Sequence, residues 1–143
     1  MADQPARGYT IDELAVGMTA SYERVVSVAD IEAFAAVSGD RNPVHLDDDY
    51  AKTTRFKGRI AHGMLGASFI STVLASKLPG PGTIYLAQSL AFKAPVRPGD
   101  QLEARVTVTE IRREKKQVVL KTECRVGETL VIDGEATVLV TQT

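Results

Sequence analysis

The chain is poor in the residues that build disulfide and metal scaffolds. Cys124 is its single cysteine, so no internal disulfide can form. It has two histidines, no Cys-x-x-Cys pair and no Cys/His spacing typical of a metal site. We therefore expect no metal and no cofactor, and a reducing, cytoplasmic location.

The chain also lacks a strong charge and a long apolar run. Its formal net charge is -1, which provides no extended basic field for nucleic acid or an anionic membrane. No apolar run approaches the roughly 20 residues that span a bilayer, and residues 1–5 lack the basic and then apolar pattern of a signal peptide. A length of 143 residues with 44% hydrophobic and 24% charged residues predicts one globular domain over residues 1–143.

The first half of the chain has mainly helical periodicity. A weakly alternating stretch at residues 18–25 predicts a first strand, and residues 28–37 predict a helix with Asp30 as N-cap and Gly39 at its end. We expect the acids at residues 47–49 to cap a short helix rather than to bind a metal, because no glycine-bearing calcium loop follows them.

The longest apolar stretch, residues 63–77, predicts a helix that is apolar nearly all round and about 22 Å long. Strands are predicted after it, at residues 84–92, 101–111, 118–126 and 130–140. Cys124 falls in phase with the apolar positions of its strand, which predicts a packed residue. One long helix followed by a meander predicts an α+β fold in which an antiparallel sheet wraps the helix, and the uncovered sheet edge predicts a homodimer.

The most informative segment reads Ser38-Gly39-Asp40-Arg41-Asn42-Pro43-Val44-His45. Pro43 biases Asn42 away from the α region, so we expect an extended or turning loop rather than a helix. In such a loop Asp40 and His45 can converge on one water molecule and exchange protons with it near neutral pH. Any one of these residues could instead be a simple turn former.

These residues resemble the signature of the hydratase 2 group, the MaoC-like (R)-specific enoyl-CoA hydratases and dehydratases. The resemblance continues through Ile60-Ala61-His62-Gly63-Met64-Leu65 and residues 84–100, and so covers nearly the whole chain. It implies the hotdog fold with a hydratase-type overhanging loop, and a homodimer with acyl-CoA tunnels at or near the subunit interface. The implied reaction is reversible hydration of trans-2-enoyl-CoA to (R)-3-hydroxyacyl-CoA, with the acyl-CoA as substrate.

The chemistry of that reaction assigns roles to named residues. We expect Asp40 to be the general base, His45 to orient the water and exchange protons, and Asn42 to fix the loop. Gly63 is predicted at a helix N-terminus, where its free N–H can stabilise an oxyanion, although glycine can also simply begin a helix.

The resemblance suggests a supporting polar role for Ser71, which lies about two helical turns from Gly63. A hydroxyl satisfied by its own helix is the equal alternative. His62 is expected to be a packing histidine rather than a catalytic one.

Two other functions remain open at this point. A non-catalytic acyl-thioester-binding subunit would not need Asp40 and His45, and an acyl-CoA thioesterase would direct the activated water to the carbonyl carbon. For a hydratase, the product could feed polyhydroxyalkanoate synthesis, and the reverse reaction could serve fatty-acid metabolism.

Overall fold

The computed structural model describes residues 7–143, so the expected lack of a signal pattern at residues 1–5 lies outside the described residues. The helices are α1 (Val28–Ser38), α2 (Pro43–Leu46), α3 (Asp48–Lys52) and α4 (Gly63–Ser76). The strands are β1 (Thr19–Val25), β2 (Ile84–Phe92), β3 (Gln101–Arg112), β4 (Gln117–Val126) and β5 (Thr129–Leu139). The bounds predicted for the strands, for α1 and for α4 are confirmed to within one residue.

The strands form one antiparallel sheet in the order β1-β3-β4-β5-β2. The predicted meander is confirmed for β3, β4 and β5. It is wrong for β2, which pairs with β5 at the far edge rather than with β3. The segment between β2 and β3 contains Pro95, Pro98 and Gly99 and is longer than a tight hairpin, so it carries the chain across the sheet.

Helix α4 packs against β1, β2, β3 and β4 and forms the centre of the core. Gly66 permits this close approach, because a Cβ there would lie 3.1 Å from Ile132 Cδ1 and 3.4 Å from Leu102 Cδ2. Helix α4 has 14 residues. Among the described residues, no helix combines the length and the apolar character needed to cross a membrane.

Cys124 is fully buried on β4, and its thiol lies 3.6 Å from the backbone oxygen of Gly66. Burial raises the pKa of Cys124 to about 12. The thiol is therefore protonated at neutral pH, and the prediction of a packed residue is confirmed.

The expected N-cap of α1 is wrong by three residues. Ser27 is the N-cap: its hydroxyl accepts from the Asp30 N–H at 3.0 Å, and the Asp30 carboxylate accepts from the Ser27 N–H at 3.1 Å. This capping box places the acid at the third helical position. Hydrogen bonds from Arg24, at 2.6 and 3.0 Å, lower the pKa of Asp30 to about 2.

The expectation that residues 38–45 contain no helix is wrong for their second half. Asn42 is the N-cap of α2 and accepts from the Val44 N–H at 3.2 Å. Pro43 is the first helical residue, a position where its missing N–H is not needed. The bias that Pro43 imposes on Asn42 does hold, since Asn42 has a non-helical ψ of 124°. His45 is therefore carried on a rigid helical turn.

The acids that follow α2 cap a helix, as predicted. One carboxylate oxygen of Asp47 accepts from the N–H groups of Asp49 and Tyr50 at 3.0 and 3.2 Å.

Strand β2 is an edge strand with β5 as its neighbour. It exposes Ile84, Tyr85, Leu86 and Phe92, each by 40 to 52%. An apolar edge strand is suited to pairing with another chain. The homodimer stays a prediction, and β2 is the surface through which we expect it to form.

Candidate active site

Asp40 lies directly after Gly39, the residue that ends α1 with a left-handed φ of 81°. The Asp40 N–H donates to Ser38 Oγ at 3.1 Å, and Asp40 Oδ1 accepts from the Asn42 N–H at 3.1 Å. Within residues 7–143, Oδ2 accepts from no other group. The turn therefore fixes the carboxylate and leaves it able to bind a further donor.

His45 is 7% exposed, and its Nδ1 lies 2.8 Å from the backbone oxygen of Ile60. A carbonyl oxygen only accepts hydrogen bonds, so a neutral His45 carries its proton on Nδ1. Its Nε2 then keeps a lone pair. His45 thus offers one basic nitrogen in a fixed orientation.

His62 directly precedes α4 and is 3% exposed. Its Nε2 lies 3.0 Å from the backbone oxygen of Asp40, and its ring stacks on His45 with centroids 3.9 Å apart and an interplanar angle of 27°. Phe34 packs against the same imidazole with centroids 4.9 Å apart. The Nδ1 of His62 is buried and has no hydrogen-bond partner in the described part of the chain.

The three side chains form a compact cluster. One carboxylate oxygen of Asp40 and one ring nitrogen of each histidine lie within 4.8 Å of one another. No direct hydrogen bond joins Asp40 to His45 among the described residues. Polar atoms at such a separation can bind the same water molecule, since each needs a distance of about 2.8 Å. The geometry therefore allows the arrangement that the sequence predicted.

An Asp and two His side chains are also metal-ligand types, but this cluster is poorly arranged for one ion. The imidazole lone pairs lie in the ring planes, and the two rings are stacked at 3.9 Å with only 27° between them. An ion in the plane of one ring would lie well outside the plane of the other. The stacking therefore disfavours chelation by His45 and His62 together.

Gly63 begins α4, as predicted. The Leu65 N–H donates to His62 O at 3.1 Å, whereas the Gly63 and Met64 N–H groups have no acceptor within residues 7–143. A Cβ at Gly63 would lie 2.7 and 2.8 Å from two ring carbons of Phe92. The helix thus presents free donors at a position where no side chain fits without moving Phe92.

These groups share one cavity of about 540 Å³. Asp40, His45, His62 and Gly63 line it, as do Arg55 and Lys93, and its other walls are mainly apolar residues from α4, β2, β3 and β5 and from the segments that connect the elements. An apolar cavity with a few convergent polar groups is the usual form of a small-molecule site.

Two predicted site residues lie outside the lining of this cavity. Asn42 caps α2, and Ser71 lines a second cavity of about 540 Å³ between α4 and β2. Ser71 is eight residues from Gly63, and eight residues turn a helix about 80° beyond two full turns. No hydrogen bond to another described residue holds the Ser71 hydroxyl, so the helix-satisfied alternative is not observed either.

The structure adds His62, Arg55 and Lys93 to the predicted site residues. The sequence signal for His62 was its place directly before Gly63 as the second of two histidines in the chain. Arg55 and Lys93 belong to separate segments and gave no such signal.

Known proteins of similar sequence carry related names. The family model of the MaoC like domain matches residues 13–129. An (R)-specific enoyl-CoA hydratase of Rhodospirillum rubrum is 55% identical over 129 residues, which cover 90% of each chain. A 3-hydroxybutyryl-CoA dehydratase of Methylorubrum extorquens is 46% identical over 90% of this chain and 82% of its own.

Solved structures give the same result. The R-hydratase PhaJ1 from Pseudomonas aeruginosa has a TM-score of 0.90 at 47% identity, over 95% of this chain and 88% of that one. The (R)-hydratase from A. caviae has a TM-score of 0.87 at 46% identity, over 90% of this chain and 98% of that one. The predicted hotdog fold is thereby confirmed. Within that fold class, the chain belongs to the MaoC-like family.

Proposed function

We propose that this chain is an (R)-specific enoyl-CoA hydratase, a hydro-lyase that reversibly adds water to trans-2-enoyl-CoA and forms (R)-3-hydroxyacyl-CoA. The observation that carries the proposal is the approach of Asp40 and His45 to within one water molecule of each other, in the cavity that Gly63 also lines. The 55% identity to an enzyme of that name supports the same reaction.

The hydrogen-bonding capacities of Asp40 and His45 orient the water. The Asp40 carboxylate and the His45 Nε2 are both acceptors, because the His45 proton is held on Nδ1 by Ile60 O. A water molecule between them donates one hydrogen to each. Its oxygen lone pairs then point away from both acceptors, toward the space for the β-carbon of the substrate.

The reaction then proceeds as a conjugate addition. Asp40 takes a proton while the water oxygen bonds to the β-carbon, and the π electrons shift to the α-carbon and the thioester oxygen. The free N–H of Gly63 stabilises that oxygen. The α-carbon then takes a proton from the Asp40–His45 pair. One C–O and one C–H bond form as one C=C π bond and one O–H bond of the water break, so the balance requires no oxidant or reductant.

The cavity also suits the CoA portion of such a substrate. Arg55 and Lys93 line it and form no ion pair with a carboxylate within the described residues, so their charges complement phosphate groups.

In the double variant Arg55→Gln/Lys93→Gln, KM for crotonyl-CoA should rise about tenfold. KM for crotonyl N-acetylcysteamine, which lacks phosphates, should not change; an equal rise for both substrates would contradict this contact.

The reaction is tested with crotonyl-CoA and chiral analysis of the product. Hydration removes the absorbance of the conjugated enoyl group without releasing free thiol, and the product should be the (R) enantiomer. Release of thiol would instead identify a thioesterase. If crotonyl-CoA binds but the absorbance persists and no thiol is released, the chain is a non-catalytic acyl-thioester-binding subunit.

We further propose a homodimer assembled through the apolar edge strand β2, and a cytoplasmic location. Light scattering should give about twice the mass of one chain, as expected for an edge strand that is covered by a second copy. Cell fractionation tests the location.

A further inference from the structure

His62 has three features that packing alone does not require. Its Nε2 lies 3.0 Å from the Asp40 backbone oxygen, its ring stacks on His45 at 3.9 Å, and its Nδ1 is buried without a partner in residues 7–143. Asp40 and His45 are the two groups assigned to the water. A single side chain therefore contacts the main chain of one and the ring of the other.

The hydrogen-bond partner fixes the protonation of a neutral His62. The Asp40 carbonyl oxygen only accepts, so His62 must donate from Nε2–H. Nδ1 is then a buried acceptor with no donor among the described residues. Leaving a buried acceptor unpaired costs at least as much as one neutral hydrogen bond contributes. Relative to a phenylalanine of similar size, His62 gains the bond to Asp40 O but leaves one buried nitrogen unpaired, so the two effects on folding stability roughly cancel and do not by themselves account for a histidine here.

The bond from His62 is the contact that ties the Asp40 turn to α4. The other hydrogen bonds of Asp40 are local, to Ser38 and Asn42, and all three residues are exposed. A Cβ at Gly39 would have nothing within 4 Å, so the turn is uncovered on that side. His62, which is itself buried and lies 22 residues away in the chain, anchors the turn to the position directly before α4.

We propose that His62 is a positioning residue, which sets the separation of Asp40 and His45 by holding the Asp40 main chain through Nε2–H and the His45 ring through stacking. The proposal rests on the hydratase function proposed above. The hydrogen bond is the stronger determinant, because the His45 ring is already held by Ile60 O, whereas no other hydrogen bond joins residues 38–42 to a distant part of the described chain.

The first experiment needs no variant of His62. Because the chain has two histidines, the ¹⁵N-histidine NMR spectrum of the wild-type protein contains two imidazoles, and the variant His45→Asn assigns them. We expect the Nδ1–H tautomer for His45 and the Nε2–H tautomer for His62. An Nδ1–H tautomer for His62 would overturn the proposal, whether or not any variant folds.

The second experiment separates the two contacts of His62. His62→Gln keeps a donor near the place of Nε2, whereas His62→Phe keeps the stacked ring and loses the donor. In His62→Phe, kcat for crotonyl-CoA should fall about 10- to 100-fold with KM nearly unchanged, as expected for a small displacement of a catalytic group. His62→Gln should bring kcat back to within about fivefold of the wild type, because its amide can again donate to Asp40 O. One such hydrogen bond corresponds to a rate factor of about ten.

Phe34→Leu is the matched control, since the Phe34 side chain contacts the His62 ring but makes no hydrogen bond, and its main-chain bond from Ser38 Oγ is kept in the variant. It should retain kcat within about twofold. The proposal is overturned if His62→Phe turns over at the wild-type rate, if His62→Gln is no better than His62→Phe, or if Phe34→Leu loses as much as either. Failure of the wild-type protein to hydrate crotonyl-CoA would instead refute the proposed function, and the NMR result would still decide the hydrogen bond.

Discussion

The two cavities beside α4 have the same volume, about 540 Å³, and share Met64 in their linings, but they differ in chemistry. The first is lined by Asp40, His45 and His62. The second lies between α4 and β2, and Ser71, Tyr85 and Gln88 are among its polar side chains. Size therefore does not distinguish the two sites.

Most polar groups that line the second cavity are hydrogen-bonded within the protein. Gln88 Nε2 donates to Thr122 Oγ1 and to Ser89 O, each at 2.8 Å, and the Tyr85 hydroxyl donates to Gln88 Oε1. Burial raises the pKa of Tyr85 above its usual value, so its hydroxyl is neutral at pH 7. In the first cavity, Asp40 Oδ2 and His45 Nε2 bind no other group within residues 7–143. The two cavities therefore differ in the hydrogen-bonding groups that they leave free rather than in volume, and this difference is our reason for placing the proposed reaction in the first cavity.

The largest effect is expected from Asp40→Asn. The amide can still accept from the Asn42 N–H and so preserve the turn, but it cannot take a proton from water. Hydration of crotonyl-CoA should fall about 1000-fold, within the range attributed to general-base catalysis. Asp47→Asn, a cap outside the cavity lining, is the matched control and should leave the rate unchanged. A near-wild-type rate for Asp40→Asn would show that another group is the base.

A somewhat smaller loss, about 100-fold, is expected from His45→Asn. The Asn amide can replace the Nδ1–H bond to Ile60 O, so the melting temperature should stay near that of the wild type while the nitrogen that binds water is lost. The double variant with Asp40→Asn should lose little more than Asp40→Asn alone, because both residues act on one water. If the loss in the double variant equalled the product of the two single losses, the two groups would act independently.

Gly63→Ala should reduce kcat/KM about tenfold, because the added methyl occupies the space beside a free N–H that the thioester oxygen needs. That methyl also meets Phe92 at 2.7 Å, so the variant is compared in a Phe92→Ala background. If the loss persists there, it arises from blocked access to the N–H. A rate restored by Phe92→Ala would attribute the loss to displacement of the aromatic ring.

The sequence predicted most of the features that depend on local patterns, although it misplaced the N-cap of α1 and missed α2. The bounds of α4 and of the strands follow from periodicity, and Asp40, His45 and Gly63 come from short motifs at element ends. Features that depend on contacts across the fold were missed or misplaced. The stack of His62 on His45 and its bond to Asp40 join residues that are 17 and 22 positions apart, and the position of β2 beside β5 depends on how residues 93–100 cross the sheet.

The smallest effect, and the sharpest test of the comparison, is expected from Ser71→Ala. Ser71 lines the second cavity, and its hydroxyl is bound to no described residue, so removing it should change kcat for crotonyl-CoA by less than about threefold. Ser68→Ala is the matched control, because Ser68 lines the same cavity but its hydroxyl donates to Leu65 O. A loss near 100-fold in Ser71→Ala alone, with an unchanged melting temperature, would mean that the second cavity takes part in the chemistry. In that case the distinction between the two cavities would fail, and a second copy of the chain covering β2 would be the first place to look for what brings Ser71 to the substrate.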